Sequence, residues 1–173
     1  GLRDKSGRAN YRNYKKAMLG RFARFRAERY SQQDWLFDPE REHVFKSEYA
    51  HYNLFDPGLD HWLPHSRRHR WFASMGSSQA LAVSAFGTML ERGELARLNE
   101  VPDEHGRPLL AGFVLAGKAE FDHLVTALNE LKPTQVDLFL PGQHGNVAIE
   151  CKFWEDRLSP CSQVPDACDG RHD

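Results

Sequence analysis

From residue 110 onward apolar residues recur at every second position, whereas residues 9–30 repeat them at steps of three and four. Side chains alternate across a strand but cluster on one stripe of a helix, so the two periods demand two kinds of backbone in one chain. Each kind can hide its apolar face only against the other, and the expectation is an α+β (α/β) fold. Three β-like segments are predicted, roughly 112–124, 135–140 and 147–154. Pro141-Gly142-Gln143-His144-Gly145-Asn146 joins the second to the third as a hairpin loop. Residues 125–134, ending in Lys132-Pro133, read as a short helix or as an excursion of the hairpin.

The helical part begins with Tyr11, Tyr14, Met18, Phe22 and Phe25, a stripe within a stretch free of proline. A short helix of about 39–51 fits between Asp38-Pro39 and Asp56-Pro57-Gly58. Ser77 or Ser78 can cap a helix of about 78–92, which Gly93 ends or bends. Its apolar residues, Ala80 to Leu90, cover most of its circumference and predict burial. A further turn or two over 94–99 precedes a loop at 102–108. The layout is a helical N-terminal region over 1–72, a core over 73–155 and an irregular tail over 156–173.

Hydrophobic residues at 40% and charged residues at 27% are a globular composition, and 173 residues suit one domain. The longest apolar run, Ala80 to Phe86, falls far short of the roughly 20 residues that cross a bilayer. Neither a membrane partner nor a secretory signal is expected. The three cysteines, Cys151, Cys161 and Cys168, are too few for a disulfide scaffold, so the cytoplasm is the expected compartment.

A balance of 23 Lys+Arg against 24 Asp+Glu hides an asymmetry. Residues 1–30 carry ten basic side chains against Asp4 and Glu28, which is +8 and leaves −9 for the rest. A basic arm on an acidic body suits contact with a polyanion, and Lys15, Lys16, Arg21, Arg24 and Arg26 are the candidates for phosphate contact. A solvated amphipathic helix packed on its own domain is the competing expectation. His43, His51, His61, His65 and His69 crowd one stretch, but Pro64 interrupts the run with i, i+4 spacing, and zinc is not expected there. Cys161, Cys168 and His172 form another weak metal candidate beside the expectation of free thiols in a tail.

The chemistry gathers on the hairpin. Glu150 and Lys152 share a face of the third segment, about 7 Å apart by strand rise. Asp137 stands between Val136 and Leu138, where the pattern wants an apolar residue, and pairing across the loop brings it near Glu150. Two carboxylates on rigid strands can hold Mg²⁺ with the backbone carbonyl of Cys151 as a further ligand, and Lys152 can orient a water or offset developing charge. A cross-strand ion-pair network is the alternative for the same three residues.

Asp137, twelve intervening residues, then Glu150-Cys151-Lys152 resembles the signature of the PD-(D/E)XK nuclease superfamily. Phe121-Asp122-His123-Leu124, Pro133-Thr134-Gln135-Val136-Asp137, Val147 to Glu155 and Ser77-Ser78-Gln79-Ala80-Leu81 are similar to a bacterial family of restriction-endonuclease-like proteins. The likeness covers about 75–155, with a looser one around Tyr49-Ala50-His51-Tyr52. It implies a restriction-endonuclease-like core, a central mixed sheet with a catalytic hairpin flanked by helices. It also implies a nuclease that uses Mg²⁺, with Mn²⁺ as a substitute, on nucleic acid and foremost DNA, and leaves room for a homodimer. Asp137, Glu150 and Lys152 would be catalytic. Asp122 stands where relatives tend to carry Glu followed by His, Glu120 competes with it, and Gln79 either faces the site or caps its helix. Val136 replaces the proline that names the superfamily.

In that superfamily the core continues beyond the lysine strand with a helix and a strand. Here 21 residues follow Lys152, broken by Ser159-Pro160, Val164-Pro165 and Asp169-Gly170. With Gly1 in place of an initiator Met, the expectation is a partial chain. A non-catalytic nucleic-acid-binding module of the same fold is the alternative to a nuclease. Strand preference and recognition sequence have no signature in these residues.

Overall fold

The computed structural model describes residues 11–108, 110–126 and 133–153. Helix α1 spans Tyr11–Arg29 and is rich in Ala, Lys and Arg, which lose little freedom in a helix, with Arg26 and Arg29 in the last turn against the negative end of its dipole. Its stripe buries Met18 and Phe22, while Phe25 is left half-exposed.

After α1 the chain runs through short 3₁₀ turns, not the helix expected over 39–51. Asp38 Oδ1 accepts the backbone N–H groups of Glu40 and Arg41, which turns the chain, and Phe37↔Phe45 and Val44↔Ser74 pair as isolated bridges. A side chain that caps the backbone locally competes with helix, and here it wins. After a first 3₁₀ turn at Asp34–Leu36, helical turns resume at Ser47–Asn53 and again at Pro57–Trp62, where Asp56 accepts the Gly58 N–H and Pro57 takes the first position.

Helix α2, Ser78–Ala82, starts where Ser77 Oγ accepts the Ala80 N–H. It passes through a π-helical turn, Val83–Gly87, into α3, Thr88–Glu91. Gly93, at φ 65°, then reverses the chain. Burial of this rod is one-sided: Ala80, Ala82 and Val83 are inside, whereas Leu81 and Ala85 are exposed. Leu95–Glu100 is 3₁₀.

The sheet has strands β1 Glu120–Val125, β2 Thr134–Leu140 and β3 Val147–Ile149 in the order β1-β2-β3. Both pairings are antiparallel, so the described sheet is not the mixed one expected. Two further boundaries move. Residues 112–119 turn and bridge, Leu115 to Gly142, and regular pairing starts at Glu120. The loop at 141–146 needs Gly142: a Cβ there would lie 2.4 Å from the Gly145 carbonyl oxygen. β3 ends at Ile149, because the Cys151 N–H goes to the Asp137 carboxylate at 2.7 Å instead of continuing the ladder.

Alternation on β2 buries Val136, Leu138 and Leu140. They join Phe121, Ala80 and Val83 in one core cluster that also takes Ala50, Leu54, Leu59 and Leu63. The stretch before residue 72 is therefore packed into the same core as the sheet. A second cluster gathers Met18, Phe22, Leu36, Phe37, Phe45 and Met75 under α1. Tyr14 donates to the Phe153 carbonyl at 2.9 Å and Phe22 meets the Phe153 ring edge-on, which ties α1 to the end of the hairpin. The structure is thus α+β. The tail with Cys161, Cys168 and His172 lies outside the described residues, as do residues 127–132 of the expected short helix or excursion.

Candidate active site

Strand register builds the site. Leu138 pairs with Ile149 as the last pair of β2 and β3, which leaves Glu150, one residue past β3, beside Asp137. Phe121↔Leu138 and His123↔Val136 flank β1's Asp122, which the same register sets against Asp137 from the other side. By register the three carboxylates thus form one row, a rung in place, although no ladder pair forms at Asp122 and the pairing with β3 stops at Ile149. Asp122 adopts φ 55°, a left-handed conformation that aspartate tolerates better than most residues.

Each carboxylate has its own surroundings. Asp137 is partly buried and its carboxyl is pushed up to about 6, first by burial and then by the charges of Glu150 and Asp122, against the opposing pull of the Cys151 N–H and Lys152. Glu150 is more open and receives Lys152 Nζ at 2.6 Å. The side chain of Asp122 is only 12% exposed. It accepts from Gln79 Nε2 at 3.0 Å and has Arg67 Nε 3.6 Å away, while Arg67 Nη2 also donates to the carbonyls of Phe121 and Asp122.

Gln79 ties two elements together. Its Oε1 accepts the His69 N–H at 2.8 Å and its Nε2 also reaches the Arg67 carbonyl at 3.4 Å. Capping of the helix falls to Ser77, which frees Gln79 to hold Asp122. Of the two competing acids, the structure brings Asp122 into the cavity with Asp137. Glu120 instead pairs with His123 Nδ1 at 2.8 Å, and that ring stacks on Phe139.

The rung opens into a cavity of about 680 Å³. Asp122, Gln135, Asp137, Glu150 and Lys152 line one part of it. The remainder comes from Lys15 of α1 and from the irregular stretch, including Arg41, His43, His69, Trp71 and Gln79. Burial holds the His43 imidazole below its ordinary pKa, and the nearby charges of Lys15 and Arg41 add to that.

Of the five basic residues expected at phosphate, Lys15 reaches the cavity. Lys16, Arg21 and Arg24 are exposed on α1. Arg26 is committed elsewhere: it pairs with Asp34 at 2.7 Å, donates to the Glu42 carbonyl and lies over Phe37. Arg67 and Trp71 were not among the expected site residues. The run Arg67-Arg68-His69-Arg70-Trp71, basic with an aromatic end, is the signal that marks them. The clustered histidines are engaged singly: His61 with the Gly58 carbonyl and Glu91, His69 with the Trp71 N–H, His43 stacked on Phe22. Among the described residues, no three His, Cys, Asp or Glu side chains close on one point as a preformed metal cage. None of the helices described is long and apolar enough to cross a membrane.

Comparison with known proteins adds a partial likeness. A 47-residue stretch is 43% identical to a protein of Schizosaccharomyces pombe named "Probable proteasome subunit beta type-4". The stretch is 27% of this chain and 24% of that protein, so the chain spans about a quarter of the relative it matches. No family model and no solved structure matches.

Proposed function

We propose that this chain is a metal-dependent nuclease with a restriction-endonuclease-like core, hydrolysing phosphodiester bonds of nucleic acid and foremost of DNA. The observation that supports it best is the rung Asp122–Asp137–Glu150 beside Lys152, at the edge of a cavity large enough for a nucleotide. The donor chemistry fits a hard divalent cation. Asp137 and Glu150 offer oxygens from neighbouring strands, the Cys151 carbonyl can add another, and a Mg²⁺ site of this kind leaves places for water and phosphate oxygens. The raised pKa of Asp137 reflects burial first and the charges of Glu150 and Asp122 after it, and a cation bound there would offset both. When bound, Mg²⁺ or Mn²⁺ lowers the pKa of a water and neutralises charge at phosphorus.

The chain's own residues do the rest. Asp137 sheds its proton as pH rises through about 6 and becomes able to act as a ligand. Lys152, held at Glu150, keeps a positive charge beside the rung, where it can orient the attacking water and stabilise the charge that develops. Gln79 and Arg67 fix the left-handed Asp122 and balance its charge.

A non-catalytic nucleic-acid-binding module of the same fold is the second reading, favoured by the ion pairs Lys152–Glu150 and Arg67–Asp122 that already neutralise two of the three acids. The test is cleavage of plasmid, linear duplex, single-stranded DNA and RNA with Mg²⁺, Mn²⁺ or EDTA, beside Glu150→Ala. Cutting that needs metal and vanishes in the variant supports the nuclease. Binding without cutting by the folded protein moves the conclusion to the module.

A further inference from the structure

The cavity carries an aromatic platform that the carboxylates do not use. Trp71 lines it and is 43% exposed, so part of its ring is open to a ligand. Two guanidinium groups lie over its ring, Arg41 at 5.6 Å and Arg70 at 5.2 Å from the centroid. Arg41 is tethered, with Nη2 2.5 Å from Asp38 Oδ2. Arg70 is exposed and forms no ion pair among the described residues, so it can yield its place over the ring or swing onto an anion. The main chain that carries the ring is held on both sides: the Trp71 N–H donates to His69 Nδ1 at 3.3 Å and the Trp71 carbonyl accepts the Ser74 N–H at 2.9 Å.

We propose that this part of the cavity takes an unpaired nucleotide of a single-stranded polynucleotide, its base stacked on Trp71 and its phosphates on Arg41 and Lys15. Every base has a π face, so a tryptophan platform accepts bases without regard to sequence, and guanidinium groups around it add cation–π attraction. Those faces are hidden in a duplex, where each base is stacked between its neighbours. About 680 Å³ is the size of a pocket that encloses a small molecule, which suits one nucleotide and excludes a double helix. Positive charge on this lining complements the phosphates, and the carboxylate rung shares the cavity, which places the backbone of a stacked strand beside Asp137 and Glu150. The inference names a substrate class for the cavity of the proposed nuclease. It rests on that cavity handling nucleic acid, not on cleavage.

The test is equilibrium binding in EDTA, read by fluorescence anisotropy. The probes are labelled oligonucleotides of about 12 residues, as single-stranded DNA, single-stranded RNA and blunt duplex DNA. The single strand, as DNA or RNA, is expected to bind at least about tenfold tighter than the duplex. Trp71→Ala should weaken single-strand binding by about tenfold or more and leave duplex binding unchanged, while Trp71→Phe keeps most of the affinity. Thermal melting checks that each variant is folded, and Trp71→Leu replaces Trp71→Ala should the latter unfold. Duplex binding as tight as single-strand binding overturns the inference, as does a folded Trp71→Ala protein that binds the single strand normally or loses affinity equally for both. Stacking in EDTA with no cutting in Mg²⁺ sinks the nuclease proposal alone. Metal-dependent cutting with unaltered binding by Trp71→Ala sinks the stacking site alone.

Discussion

Asp122, Asp137 and Glu150 reach the cavity from a paired sheet, whereas Arg41, His69 and Trp71 reach it from a stretch with hardly any regular structure. In the sheet, register decides who meets whom: with Leu138 paired to Ile149, Glu150 just past β3 falls beside Asp137. In the irregular stretch, position is set by side chains that bind backbone. Asn53 Nδ2 holds the carbonyls of Phe72 and Ser74, Asp38 turns the chain at Arg41, and Gln79 anchors His69. The first device gives rigidity and crowds like charges. The second spreads positive groups and leaves a ring exposed. One lining is thus suited to holding a cation, the other to an anionic, aromatic ligand.

The largest effects should come from breaking the rung. Glu150→Ala or Asp137→Ala should reduce metal-dependent cleavage by about 10³-fold or more in a folded protein, measured as single-turnover rates at saturating metal. Activity within tenfold of the parent would remove these acids from the chemistry. Lys152→Ala comes next, with turnover down by about 10²-fold and metal affinity little changed, because its charge acts on the reaction more than on the ligand set. Normal cutting by that variant refutes the role assigned to the lysine.

Stability sharpens the contrast from the other side. Gln79 is buried and its amide serves both linings, so Gln79→Leu should cost about 2–3 kcal/mol in denaturant unfolding by leaving the His69 N–H and Asp122 without their partner. Asp137→Asn should act in the opposite sense. The folded pKa of Asp137 is raised, so its favourable contribution is complete below the ordinary value of 3.8 and is lost as pH rises through about 6. The variant should therefore match the parent near pH 4 and exceed it by about 1 kcal/mol at pH 7.5, a figure reduced for solvent screening. A variant less stable than the parent at pH 7.5 would contradict an Asp137 carboxylate raised by burial and by the neighbouring charges.

The smallest effect belongs to α1. Arg24→Glu with Lys16→Glu should weaken binding of all nucleic acids by a few-fold and flatten the salt dependence by up to about two in log–log slope. An unchanged slope would confine the electrostatics to the cavity. Arg26 is unsuitable for this test, because its ion pair with Asp34 and its place over Phe37 give it a structural role.

Much of the sheet could be read from residues alone. Alternation located β2 to within a residue, but Asp137 obeys that alternation, since it lies on the face opposite Val136, Leu138 and Leu140, where a carboxylate fits and an apolar residue is not required. The end of β3 was overestimated because the competitor for the Cys151 N–H is a side chain on another strand, which no period records. Residues 39–51 misled for a related reason: Asp38 and the bridges to Phe45 and Ser74 are long-range or local capping choices that outweigh helix propensity. Asp122 was visible as a candidate, but its left-handed backbone and its bond to Gln79, 43 positions earlier in the chain, depend on the fold that brings the two together. Trp71 was missed because an exposed aromatic and a buried one look alike until the fold is known.

Binding of Mn²⁺ to the parent and to Glu150→Ala, followed by electron paramagnetic resonance in titrations at pH 5, 6 and 7, tests the central claim most directly. The account predicts saturable binding by the parent that strengthens across this range, as Asp137 gives up its proton near pH 6, and that Glu150→Ala loses at least about tenfold in affinity. Equal binding by the two proteins, or none by the parent at millimolar Mn²⁺, would contradict a cation held on the carboxylate rung.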